Sequence, residues 1–525
     1  MGPSSAALAP APARTPLTPA HWAIIFTASL GGFLEVLDTS IVNVALTSIQ
    51  SQLGATLAEV GWVVTGYAMA NVVILPLTAW LGNGFGRRGY FVFSLAGFTL
   101  ASVLCGLAPN LPLLVTGRII QGLLGGGLLA KSQAILFETI PKDRQGFAQA
   151  VFGLGIISGP ALGPTVGGYL TDLLSWRWIF LINLPFGILA VMMALRALPP
   201  DPAKPLPSLA SVDWLGILLL ILGLGSLQIV LEQGQQYAWF DDRGIVALTI
   251  TALLSCPAFI WWELRHPSPA VQLRVLRHRS LAAGSILSMI VGIGLYGTVF
   301  LIPIFAQGVL HFTAIQTGLL MLPGALASGA TMLVLSKKVQ QLDPRRVIAA
   351  GSICTSLVMF ALAGINPNTG EESLFWPLIF RGIGTVLMFL PLSLAALGDL
   401  SPEEINGGSA FYNLTRQLGG SFGIALLTSL LSHGRDYHRA YLSESAGALS
   451  LPLRLRLLEF ERMLQARGAD PHLAHRRALE LVDRQVDLQA SLLAYADIFH
   501  WLAILFLAAI PLVLLLRAPK ARRAS

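Results

Sequence analysis

Polarity along this chain changes on a long wavelength. Apolar runs of roughly 20 residues are separated by short polar stretches, and none shows the period-two alternation of a membrane barrel strand. The runs predict membrane-spanning helices near 22–46, 60–82, 90–108, 112–136, 147–170, 178–197, 212–232, 245–263, 283–306, 314–335, 347–365, 374–397, 408–431 and 495–516. The expected fold class is an all-α integral membrane protein with fourteen transmembrane helices, because backbone groups in lipid must be satisfied within their own segment. Residues 1–20 are Ala/Pro-rich with no apolar core and read as a disordered cytoplasmic tail rather than a signal peptide; 518–525 reads as a second cytoplasmic tail.

Composition agrees with this pattern. Of the 525 residues 54% are hydrophobic and only 12% charged, about half the charge of a soluble domain. The net charge of +7 does not imply nucleic acid, because of where the charges lie. Arg87, Arg88, Lys142, Arg144, Lys337, Lys338, Arg345 and Arg346 fall in one alternate set of loops, whereas the short loops of the other set hold only Arg177 and Arg243. The positive-inside rule then places both termini in the cytoplasm; the long loop after span 13 is also basic, but long loops cross largely regardless of charge. Cys105, Cys256 and Cys354 sit in apolar runs without ligand spacing, so they read as core packing, and no metal or cofactor is expected. No HExxH, nucleophile elbow or true phosphate loop is present, which argues against a membrane enzyme.

The chain also repeats. The loop holding Arg87 and Arg88 is matched about 260 positions later by one holding Arg345 and Arg346, and Arg118 near the outer end of span 4 is matched at the same offset by Arg381 in span 12. The expected organisation is an N-terminal six-helix bundle (21–198), a Pro-rich cytoplasmic linker (199–211), two inserted helices (212–264) and a C-terminal six-helix bundle (265–517) carrying a periplasmic loop at 432–494. Parallel halves around a central site are a transporter architecture.

Glu35 and Asp38 stand out within the first apolar run. Three positions apart, they share roughly one helix face, and acids at bilayer depth normally face a partner, an aqueous cavity or an ion path. Asp38 and Arg118 each lie roughly 10–14 Å inside the same membrane face by helix rise, so they can pair directly or through water. Burial disfavours a charged carboxyl and a nearby guanidinium favours it, so a movement that changes either loads or releases a proton. The plainer alternatives are that Glu35 hydrogen-bonds a neighbouring helix and that Arg118 ties helices together. In span 5, Gly155, Gly159, Gly163 and Gly167 form a small-residue stripe accompanied by Pro160 and Pro164, suited to close approach, bending and rocking. Lys131, deep in span 4, either snorkels to the inner surface or contacts cargo in a cavity. Arg416 and Gln417 in span 13 either line an inner cavity or pack.

LDTSIVNVAL (37–46), WVVTGYAMAN (62–71), GRIIQG (117–122), GPALGPTVGG (159–168) and SWRWIFLINLPFG (175–187) occur in register. Together they resemble the fourteen-span drug:proton antiporters of the major facilitator superfamily, EmrB/QacA type, and the end of the long loop, RQVDLQASLLAYADIF, is similar to the EmrB branch. The resemblance implies the major facilitator fold and a proton-coupled permease exporting hydrophobic drug-like compounds across the bacterial inner membrane by alternating access. A specific metabolite, peptide or siderophore is the alternative cargo on the same fold. It gives proton handling to Asp38 and Arg118, with Glu35 as a further candidate. The candidate substrate-cavity residues are Asn43, Gln121, Lys131, Arg381, Asn413, Arg416 and Gln417. The conformational motifs are Gly86, Arg87 and Arg88 in the 2–3 loop, and Gly159, Pro160, Gly163, Pro164, Gly167 and Gly168 in span 5. The 2–3 loop departs from the family, because Asn83 and Gly84 stand where relatives place Asp-Arg; its charge lock is then weaker or borrows another acid. The long loop implies docking to a periplasmic adaptor and outer-membrane channel, or else forms a solvated helical hairpin.

Overall fold

In the computed structural model, which describes residues 15–201, 212–366, 369–445 and 451–516, every regular element is helical. Most of the expected N-terminal tail, linker positions 202–211 and the C-terminal tail lie outside the described residues. The first six spans comprise α1 (Pro19–Leu53), α2 (Leu57–Phe85), α3 (Arg87–Gly106), the broken pair α4 (Leu111–Gly125) and α5 (Leu128–Thr139), α6 (Gln145–Leu173), and the pair α7 (Trp178–Leu181) and α8 (Asn183–Ala197). Next come α9 (Trp214–Leu220), a π turn over Ile221–Gly225, α10 (Ser226–Gln233) and α11 (Arg243–Arg265). The remainder is α12 (Arg279–Gly308), α13 (Ala314–Lys338), α14 (Pro344–Ala363), α15 (Glu371–Leu397), α16 (Ile405–Ser445), α17 (Leu451–Ala466) and α18 (Pro471–Val513).

Local chemistry sets the helix ends. Thr18 and Thr56 open α1 and α2 as capping boxes with His21 and Glu59, and α1 stops at Gly54 in the left-handed region at φ 63°. Twelve helices among the described residues are long and apolar enough to cross a bilayer, and α6 makes thirteen if its 46° bend at Pro160 is counted within one span. The fourteenth expected span is the first part of α16, whose polar residues depress its hydropathy. It packs along α12, where Gly292 meets the Arg416 carbonyl and Gly423 the Ile293 backbone.

The glycine stripe of α6 lies against α1. A Cβ at Gly159 would come within 2.9 Å of Val36, at Gly163 within 2.5 Å of Ser40, and at Gly167 within 2.8 Å of Ile41. Tight packing is therefore the geometry the stripe adopts. The first and second halves meet through α6 on α13 and through α2 and α5 on α16. One apolar cluster spans this junction, with Phe152 and Leu136 from one half against Met332 and Phe389 from the other.

Sequence reasoning ended span 13 near 431 and began span 14 near 495, but α16 and α18 continue as helices well beyond those positions. The extension is an ion-paired hairpin: Arg435 to Asp487 at 2.5 Å, Arg439 to Asp483 at 2.8 Å and His438 to Asp497 at 2.7 Å. Exposed pairs are individually worth about 0–1 kcal/mol, so shared register matters more than any single bridge. Of the two readings of this loop, the helical hairpin matches its form.

Because Gly292 abuts a backbone carbonyl that cannot rotate away, Gly292→Val is expected to cost about 1–3 kcal/mol by overpacking. Gly308→Val, in open space at the end of the same helix, is the control. The apparent unfolding temperature in detergent should fall for the first and change little for the second.

Candidate functional site

Asp38 and Arg118 pair directly. Arg118 Nη1 donates to Asp38 Oδ2 at 2.5 Å, and both side chains are fully buried. The second carboxylate oxygen accepts from Gln121 Nε2 at 3.0 Å and Asn183 Nδ2 at 2.8 Å. Arg118 Nε donates to the Val63 carbonyl at 2.9 Å, Nη1 also donates to Gln121 Oε1 at 2.8 Å, and the guanidinium lies 4.1 Å from the Tyr67 ring centroid. Side chains from α4 and α8 thus converge on one carboxylate of α1, beside a backbone carbonyl of α2. Gln121, expected in the substrate cavity, belongs to this network: one turn along α4 from Arg118 puts it on the same face toward α1. Asn183 was not singled out from sequence, although it is the polar exception in the apolar stretch WIFLINLPFG.

Glu35 has different partners. Its carboxylate accepts from Asn71 Nδ2 at 2.8 Å and from the Leu129 backbone N–H at 2.6 Å. Leu129 lies in the first turn of α5, just after Gly126 and after Gly127 at φ 83°, so Glu35 takes one of the orphan amides left by the break in span 4. Hydrogen bonding to neighbouring helices, the plainer reading, is what the geometry shows.

At the basic end the two halves are tied together. Asn406 Nδ2 donates to Glu138 Oε1 at 2.9 Å, Asn413 Nδ2 to Gln133 Oε1 at 2.7 Å, Ser409 Oγ to the Ala130 carbonyl at 2.7 Å, and Gln340 Nε2 to the Lys142 carbonyl at 2.5 Å. Asn413, expected in the cavity, is buried within this closure. The 2–3 loop does borrow other acids. Arg87 pairs with Glu138 at 2.5 Å, and Asp201 accepts the backbone N–H groups of Arg88 at 2.8 Å and Gly89 at 3.2 Å, while Arg88 Nη2 donates to the Leu195 carbonyl at 2.5 Å. Gly86, at φ 81°, is needed here because a Cβ would strike the Asp201 carboxylate. Nearby, outside the spans, a hydrogen bond from His278 holds the Glu404 carboxyl below its ordinary pKa.

Lys131, expected either to snorkel to the inner surface or to contact cargo in a cavity, does not reach the surface; its ammonium lies against Gly82 and Tyr90, beside the basic 2–3 loop. It is buried, with Nζ 3.3 Å from the Tyr90 ring centroid and no hydrogen-bond partner. The break at Gly126 and Gly127 lets α5 start on its own axis, and Lys131 then faces α2 and α3 within its own half. Asn43 is exposed, on a stripe with Thr39 and Thr47 along the outer part of α1. Gln417 is half-buried.

The second half leaves its arginines uncompensated. Arg381 Nη1 donates to Thr298 Oγ1 at 3.1 Å while its Nε has no partner. Thr298 stands about 260 positions after Asp38, so the repeat keeps the guanidinium and replaces the acid with a hydroxyl. Arg416 donates through Nη2 to Asn413 Oδ1, its Nη1 is unpaired, and the group lies 5.2 Å from the Phe389 ring centroid. Among the described residues, neither has a carboxylate at ion-pair distance.

The family described as Major Facilitator Superfamily matches residues 28–424. The multidrug export protein EmrB of Escherichia coli (strain K12) is 30% identical over 508 residues, covering 96% of this chain and 97% of that protein. The fatty acid resistance protein FarB of Neisseria gonorrhoeae is 29% identical over 94% of this chain and 96% of that protein. Among solved structures, the human organic anion transporter MFSD10 (TETRAN) aligns with TM-score 0.59 at 14% identity, over 94% of this chain and all of that one. The proton:xylose symporter XylE aligns with TM-score 0.56 at 15% identity, over 94% and 96%. Both structural likenesses show the fold.

Glu138→Ala removes the acid shared by Arg87 and Asn406. Arg87 is half-exposed, so the pair is worth about 1 kcal/mol. Opening of the basic end should then rise about fivefold, read as faster alkylation of Ser409→Cys in a background without native cysteines; an unchanged rate would remove Glu138 from the closure.

Proposed function

The chain belongs to the Major Facilitator Superfamily, and on that premise we propose that it is a proton-coupled multidrug efflux permease working by alternating access. It is a multi-pass membrane transporter rather than an enzyme. The observation that carries the proton-coupling reading is the carboxylate of Asp38, buried against Arg118 and held by amides from two helices. In the conformer closed at its basic end, the exposed stripe of Thr39, Asn43 and Thr47 serves as part of a vestibule open to the opposite face. A proton arriving there neutralises Asp38 and releases Arg118 from its pair. The loss of this attraction frees α1 and α4 to shift, with α6 rocking on its glycine stripe. Opening of the basic end separates Asn406 from Glu138 and Asn413 from Gln133, admits cargo from the cytoplasmic side, and restores the ion pair as the proton leaves. In this reading both termini are cytoplasmic, the membrane is a bacterial inner membrane, and the α16–α18 hairpin projects into the periplasm as the surface for an adaptor and outer-membrane channel.

Arg381 and Arg416 favour cargo with an acidic group. A guanidinium without a counter-ion is costly where it is buried, as at Arg416, or partly buried, as at Arg381, and an apolar compound carrying a carboxylate or phenolate would supply one. The relatives' multidrug and fatty acid resistance names are compatible with such a range.

Asp38→Asn is expected to abolish efflux driven by a pH gradient in proteoliposomes while leaving insertion and monodispersity intact; sustained gradient-driven efflux would reject the proton-coupling reading. Glu35→Gln should shift the pH dependence of transport or its substrate range, and no change in either would leave Glu35 a purely structural cap on α5. Arg416→Gln should lower transport of acidic apolar compounds by roughly tenfold relative to neutral ones, since a charge-assisted hydrogen bond contributes about 1.5–3 kcal/mol. Equal losses for both would set the acidic-cargo reading aside without touching the proton-coupling one.

A further inference from the structure

Away from the Asp38 site, a cavity of about 380 Å³ lies where the inserted helices meet both halves. Its walls come from α2 (Pro76), α9 (Leu220), α11 (Phe259), the segment before α12 (Val271, Leu276) and α16 (Phe411), and no charged or amide side chain lines it. The π turn over Ile221–Gly225 shapes one side, bringing Gly223 against Cys256.

Its depth and mouth are both informative. Leu264 and Leu273 line it at the basic end of the molecule, while Pro76 lies nine residues before the basic end of α2, a rise of about 14 Å. The cavity therefore runs from the membrane interface to about the bilayer midplane, roughly the thickness of one leaflet's hydrocarbon. At the mouth, Arg274 Nη2 donates to the carbonyl of Leu264 at 3.2 Å, and the Arg265 guanidinium lies 4.5 Å from the Trp261 ring centroid. Among the described residues no carboxylate is at ion-pair distance from either arginine, whereas the neighbouring Arg277 faces Glu404 at 3.5 Å. Two acids beside the mouth, Asp213 and Glu263, are buried; one oxygen of each accepts, from the Trp262 indole and the Val271 N–H, and the other has no hydrogen-bond partner. Trp261 beside the mouth is exposed, and the lining residues Ile260 and Leu264 are themselves half-exposed, as expected of a cavity that opens to lipid.

We infer that this cavity is a binding site for an anionic phospholipid of the adjoining leaflet, with one acyl chain in the apolar shaft and the phosphate against Arg265 and Arg274. An all-apolar shaft of one-leaflet depth fits a hydrocarbon chain, and an uncompensated basic mouth between membrane helices favours an anionic headgroup over a zwitterionic one. The lipid would wedge the inserted pair against α2 and α16, the two helices through which the halves meet on this side.

The test is native mass spectrometry of the full chain, delipidated and titrated with phosphatidylglycerol or phosphatidylethanolamine of identical chains. One phosphatidylglycerol should be retained with a roughly tenfold preference, given the pull of two basic side chains near the membrane surface. Arg265→Gln with Arg274→Gln, on the surface, should erase the headgroup preference, and Leu219→Trp, filling the shaft, should weaken both lipids. An absence of headgroup preference in the natural chain, or a preference unchanged in the arginine variant, overturns the proposal. So does displacement of the lipid by an apolar dye at equal concentration, which would make the cavity a cargo portal. None of these readouts depends on transport.

Discussion

An ion in hydrocarbon must be given a counter-ion and hydrogen bonds within the protein, and much of the first half is arranged to meet that demand for Asp38. Its two oxygens receive donors from Arg118, Gln121 and Asn183, while Arg118 is further held by the Val63 carbonyl and the face of Tyr67. Removing one member of such a pair leaves an uncompensated buried charge, at about 3–5 kcal/mol. The same fact makes the pair a usable switch: adding a proton changes the interaction most where the surroundings have least water to compensate. A looser or wetter arrangement would bind the proton with little mechanical consequence.

The halves solve the problem differently. Arg381 repeats Arg118 in sequence, but the position matching Asp38 is Thr298, and Arg416 adds a second guanidinium with no acid beside it. Charge is thus balanced at the Asp38–Arg118 pair and left open at Arg381 and Arg416. In the proposed cycle, proton chemistry goes with the balanced pair and recognition of an anionic group with the open arginines. Glu35 caps α5 within the first half.

The parts legible in the sequence were those that depend on local periodicity or on a charge too costly to be accidental. Helical spans, the glycine stripe and the Asp38–Arg118 pair belong to that group. Asn183 and Asn71 lay inside motifs that were recognised, but amides are common in such motifs, and only the packing of α8 on α1 and of α2 beside it shows what these two hold. The replacement acids for the 2–3 loop could be anticipated as a need; Glu138 and Asp201 could not be named, since they come from distant chain segments. The surroundings of Lys131 depend on the break in span 4, which no periodicity marks. The turn at Gly126 and Gly127 gives α5 its own direction, and a side chain two turns from Arg118's helix no longer follows its face. Span 13 is less apolar than the other spans for the reason it matters: Asn413 and Arg416 face other helices rather than lipid.

The break in span 4 also joins the two sites mechanically. Arg118 and Gln121 lie on α4, before the break, while Gln133 and Glu138 lie on α5, after it and inside the closure at the basic end. A continuous helix would transmit any displacement near Asp38 rigidly to that closure. With Gly126 and Gly127 between them the two segments can pivot, and Glu35 caps the free end of α5 from α1, the helix that carries Asp38. Movement of α1 therefore reaches the basic end through the Glu35–Leu129 hydrogen bond as well as through α4. Two carboxylates three residues apart thus act on opposite sides of one hinge, one on the ion pair and one on the segment that closes the far face.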